Sequence, residues 1–149
     1  MANLVTTITE SVVLNGALRG SSNTVTTAGI NDVMERILEC TAAQETTIAL
    51  FAVAPYTTPG AMNVNNVRYV RVTNLDATND IQLAVTTSTT NFEILISAGN
   101  SYVMSVSLLS VKGASGVPTF GAGGTLTSLI VEPTHATEPA TVELFVGLA

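Results

Sequence analysis

Tryptophan is missing from this chain, and cysteine and histidine occur once each, as Cys40 and His135. A lone cysteine makes no internal disulfide, and one histidine without cysteine partners leaves a zinc site short of ligands. His135 lies in Pro133-Thr134-His135-Ala136, a connection between strand-like runs, and no Gly-x-Ser-x-Gly elbow accompanies it. A solvated loop histidine accounts for it, and a small buried apolar side chain accounts for Cys40. Charge is equally scarce: 11% of residues are charged, against about 25% in ordinary soluble domains. The cations are Lys112 and four arginines, and the formal net charge is −6. Phosphate neutralisation needs clustered Lys and Arg, so nucleic acid is not an expected partner. An anionic membrane surface is disfavoured for the same reason, and no apolar run approaches the roughly 18–20 residues of a membrane span. Residues Met1 to Glu10 show neither the basic nor the apolar region of a secretory signal, so synthesis in the cytosol of a host cell is expected.

What the chain does have is alternation. Short runs place apolar residues at every second position, and turn residues punctuate them about every 8–12 residues. Ile81, Leu83 and Val85 give the cleanest example, all on one face of a strand. Leu4, Ile8, Val12 and Leu14 share a face before a bend at Asn15-Gly16, and a polar Ser/Thr-rich stretch runs from Gly20 to Gly29. Ile30 to Cys40 fits either a capped short helix or a strand, and strand is favoured because every neighbouring segment is β. Glu45 to Ala54 is apolar on both faces, as in a central or interface strand. Val67 to Thr73 and Asp80 to Thr86 read as a hairpin joined by Asx-type turn residues. Asn91 to Ser97, a run through Tyr102, Met104 and Val106, Leu126 to Glu132, and Ala140 to Leu148 follow. The expected fold is all-β: one antiparallel β-sandwich domain over residues 1–149, jelly-roll-like, with about nine strands. Residues 1–8 form an N-terminal arm in this reading, and Gly113 to Gly124 form a Gly-rich loop.

Candidate sites are few. The Gly-rich loop lacks the Gly-Lys-Ser/Thr ending of a phosphate cradle. Asn74, Asp76, Asn79 and Asp80 offer the hard oxygens that Ca²⁺ takes, without an EF-hand glycine or terminal glutamate, and turn formation explains all four as well. Carboxylates are scattered, and three tyrosines supply little aromatic platform for sugar. Arg68 and Arg71 lie on opposite faces of their strand and read as rim or interface ion-pair residues. No catalytic residue, cofactor site or metal site is expected, and the chain does not read as an enzyme. The expected interface residues are Leu4, Val5 and Ile8 in the arm and Phe120 in the loop.

The run Val67-Arg68-Tyr69-Val70-Arg71-Val72-Thr73-Asn74-Leu75-Asp76-Ala77-Thr78-Asn79, then Ile81-Gln82-Leu83, Phe92-Glu93-Ile94 and Ala98-Gly99-Asn100-Ser101-Tyr102, resembles small virion structural proteins of tailed bacteriophages, particularly marine ones. Ile8 to Gly16 and Gly29 to Val33 fit the same pattern, so the resemblance covers about the first 105 residues. It implies an all-β capsid decoration or cement protein on the virion surface, commonly a trimer. Such a protein binds the assembled shell of major capsid protein and stabilises it by mass action. A tail, neck or fibre component with a receptor- or glycan-binding role is the alternative.

Overall fold

The computed structural model describes residues 1–105 and 125–149. They form thirteen strands: β1 (Ala2–Thr9), β2 (Val12–Leu14), β3 (Ala17–Arg19), β4 (Ser22–Ile30), β5 (Asp32–Cys40), β6 (Thr46–Ala52), β7 (Met62–Asn63), β8 (Val67–Asn74), β9 (Ile81–Thr87), β10 (Asn91–Ile96), β11 (Ser101–Ser105), β12 (Leu126–Pro133) and β13 (Ala140–Leu148). None of their helices is long and apolar enough to cross a membrane. The expected Gly113–Gly124 loop, Phe120 and Val106 lie outside the described residues.

Two sheets face each other, one ordered β10-β9-β12-β6-β7 and the other β11-β8-β13-β5. From β5 onward the chain changes sheet at every step except the β9–β10 hairpin and the parallel addition of β7 to β6. Each sheet therefore interleaves strands distant in sequence, which is the double Greek-key order of a jelly roll. The sandwich expected from alternation is present, and among the described residues its two sheets hold nine strands, with β1–β4 in separate sheets.

The core forms where the inner faces meet. Ile81, Leu83 and Val85 of β9 pack with Leu129 and Val131 of β12, against Val70 and Val72 of β8 and Val142, Leu144 and Val146 of β13. Fully burying each such side chain contributes roughly 1.5–3 kcal/mol. In β6, the register against β12 slips between Leu129 and Ile130, so Ile48 is an extra residue. The bulge turns Ile48 and Ala49 inward together, which explains why this strand shows no clean alternation.

Two sequence expectations change here. Val67–Thr73 and Asp80–Thr86 are not a hairpin: β8 pairs with β11 and β13, while β9 pairs with β10 and β12. The connection between them crosses from one sheet to the other, because period two fixes a strand's faces and leaves its partner open. The polar stretch Gly20 to Gly29 is largely strand β4. The ambiguous segment from Ile30 to Cys40 is extended, as β5 paired along its length with β13.

Candidate interaction surface

Residues 1–8, read from sequence as an arm, are one side of a long hairpin. β1 pairs antiparallel with β4, and β2 with β3, in a single register from Asn3↔Ala28 to Leu14↔Ala17. Glu10 N–H donates to Ser21 O at 2.8 Å and bridges the two ladders. Asn15 (φ 51°) and Gly16 (φ 77°) close the tip with two left-handed residues. This is the geometry that a two-residue type I′ turn requires, and Asn-Gly is its favoured sequence. One face carries a hydroxyl ladder, with Thr7 bonded to Thr24 at 3.0 Å and Thr9 to Ser22 at 3.1 Å.

The hairpin root sits on the outer face of the β8–β13 pair, where Leu4, Val5, Thr6 and Thr7 line a depression with Tyr69, Arg71 and Phe145. Ile30 and Leu4 reach the backbone at Gly147, where a Cβ would make ordinary contact at 3.4 Å with Ile30 Cδ1 and 3.8 Å with Leu4 Cδ2. Tyr69 and Phe145 meet edge to face at 5.9 Å. The Arg71 guanidinium lies 5.9 Å from the Phe145 ring and pairs with Glu143 at 2.9 Å. Arg71 thus serves an ion pair within the chain, while Arg68 donates to the carbonyls of Asn65 and Val67.

Beyond the root, every residue from 7 to 26 is exposed. These include Ile8, Val12, Val13 (69% exposed), Leu14, Leu18 (73%) and Val25. Val12 and Leu14 share one side with Arg19 and Ala17; Val13 and Leu18 pair on the other. A free two-stranded hairpin is marginal in water, and contiguous exposed apolar surface marks interaction sites. Of the expected interface residues, Leu4 is half-buried in the root, and Val5 and Ile8 are exposed. Sequence reasoning placed the bend at Asn15-Gly16 but did not single out the tip as an interface or β4 as its return strand; Asn-Gly flanked by apolar runs was the hairpin signal.

The four calcium candidates gather at one end of the sandwich and build its corner. Asn74 is fully buried; its Nδ2 donates to Asn79 O at 2.8 Å and Ile96 O at 3.1 Å, and its Oδ1 accepts from Asp76 N at 3.0 Å. Asp76 Oδ1 accepts the amides of Asn79 (2.8 Å) and Thr78 (2.9 Å), and these bonds, Asn79's foremost, hold its carboxyl below the usual range. Asp80 Oδ1 accepts Ala98 N at 3.1 Å, and Asn79 Nδ2 donates to Glu138 Oε2 at 2.9 Å. One oxygen of each of Asn74, Asp76 and Asp80 is thus engaged by backbone amides. Among the described residues, no group of three or more His, Cys, Asp or Glu is placed to hold a metal ion.

His135 Nδ1 accepts the Glu138 amide at 3.0 Å, which closes the loop between β12 and β13. Cys40 is buried, and burial pushes its thiol up, away from the reactive thiolate. On the outer face of the β9 sheet, Glu45, Glu93 and Glu132 line a shallow polar depression with Gln82, Thr86 and Asn91. Local sequence reading does not reveal it, since its residues come from β9, β10 and β12 and from Glu45 just before β6.

No family model matches the chain, and no curated protein sequence matches it. A solved structure described as "Bacillus endospore appendages form a novel family of disulfide-linked pili" contains a chain similar over 79% of this one and 85% of its own length, at 11% identity and a TM-score of 0.47.

Proposed function

We propose that this protein is a structural subunit that works by attachment, most specifically a capsid decoration protein that binds an assembled shell and stabilises it. The observation that carries the reading is the projecting hairpin, whose apolar residues from Ile8 to Val25 lie in water on both faces. Each would contribute roughly 1.5–3 kcal/mol if fully buried against a partner. A sparsely charged surface suits a protein that spends its life against neighbours, and the resemblance of residues 67–102 to phage virion proteins supplies the kind of neighbour. Binding to the assembled shell alone then adds stability to that shell.

The test is occupancy. Mass spectrometry of purified particles should count hundreds of copies per particle; a few to some tens would place the protein in the tail. Replacing Glu10–Ser21 with a bare Asn-Gly turn should lower occupancy roughly ten-fold or more, if the tip supplies the buried anchors. Unchanged occupancy would count against the hairpin. The tail or fibre reading with a glycan-binding role has one observation in its favour, the polar depression lined by Gln82, Asn91 and Glu93.

A further inference from the structure

We propose that the hairpin tip of one copy lies along the free edge of β5 in a second copy, with Arg19 of the first set against Glu35 and Glu39 of the second. The inference rests on reading the hairpin as the attachment device and names what it grips. β5 pairs with β13 from Asp32 to Cys40 without a register shift. Among the described residues, nothing pairs with its other side. Natural edge strands are blunted by proline, charged side chains, bulges or shortness. β5 has nine residues, no proline and no bulge; its defence is charge, and a cationic strand would neutralise the carboxylates of Glu35 and Glu39.

The side chains on its outer face alternate apolar and acidic: Val33 (46% exposed), Glu35, Ile37 (66% exposed) and Glu39. The tip offers the complement, with Val12 and Leu14 beside Arg19 on one face. Among the described residues Arg19, Glu35 and Glu39 have no ion-pair partner, whereas Arg71 is paired with Glu143. Among the described residues the exposed tip packs on no part of the sandwich, and in this proposal a second copy supplies its counterpart. Edge pairing would satisfy the open backbone groups of both strands, and the alternating side chains would set the register. Tip and edge are different surfaces, so the contact is heterologous and repeats as a ring or a chain.

Light scattering on the 149-residue chain tests this. The wild type should self-associate, and Arg19→Glu should weaken association roughly ten-fold or more. The double variant Glu35→Arg/Glu39→Arg should fail alone yet associate when mixed with Arg19→Glu, because the swapped charges meet again. All three side chains are exposed, and circular dichroism checks that each variant keeps its β-sheet. A wild type that stays monomeric, an Arg19→Glu variant that assembles like wild type, or a mixture that fails to recover overturns the pairing. A monomer that still occupies particles through its hairpin overturns this pairing and leaves the attachment reading standing. An oligomer that ignores particles overturns the capsid reading alone.

Discussion

Asn74 shows how a residue that suggests chemistry can be spent on architecture. Its side chain joins the ends of β8 and β10 and the turn that follows it, through three hydrogen bonds in a buried corner. Asn74→Ala removes all three and leaves the Ile96 carbonyl without its donor. Net hydrogen bonds are worth about 1 kcal/mol each, and an orphaned buried acceptor costs about 1–3 kcal/mol. The expected loss is about 2–4 kcal/mol, read as a drop of roughly 5–15 °C in the thermal midpoint. Chelators should leave the wild-type midpoint unchanged, because Oδ1 of each of Asn74, Asp76 and Asp80 already accepts a backbone amide and serves the turn. The sequence placed these residues at a turn correctly; that the turn spans two sheets was hidden, since Asx chemistry is local and says nothing about the strands it joins.

Among the elements, the hairpin and the β8–β9 connection were the least legible. The buried strands announced themselves by alternation: Ile81, Leu83 and Val85 in β9, and Val142, Leu144 and Val146 in β13, face the core as their spacing implies. β4 is wet on both faces over most of its length, so no periodic burial marks it, and its Ser and Thr read as loop. Its regularity comes from pairing with β1. Gly20 tests how tightly that pairing is built. Its φ of +124° is closed to other residues, and a Cβ there would run into the Glu10 carbonyl. Gly20→Ala should therefore strain the hairpin by about 1–3 kcal/mol. The strain falls on an element outside the core, so amide exchange across Val12–Arg19 should quicken by roughly 5- to 100-fold while the global midpoint holds. If the whole protein melted earlier instead, the hairpin would be coupled to the core.

At the scale of the molecule, a closed sandwich and a projecting hairpin are distinct parts, and on the proposed reading the first carries stability and the second attachment. Every residue of the central core cluster lies at or beyond Cys40, so none comes from the hairpin. What the hairpin borders is peripheral: Leu4 lines one depression with Tyr69 and Phe145. A chain beginning at Asn31 should thus still fold and melt cooperatively. It would expose about 100–150 Å² of apolar surface around these two rings, a cost of about 2–4 kcal/mol at 25 cal/mol per Å². For a domain of this size that lowers the midpoint by roughly 5–15 °C and no more. Attachment should vanish in the same variant, since the tip is gone. Calorimetry and particle sedimentation on one preparation distinguish the cases. A cooperative melt without binding places the adhesive surface in residues 1–30, while retained binding moves it to the sandwich. A broad, featureless melt would mean that the hairpin is part of what specifies the jelly roll, and the two roles would not be separable.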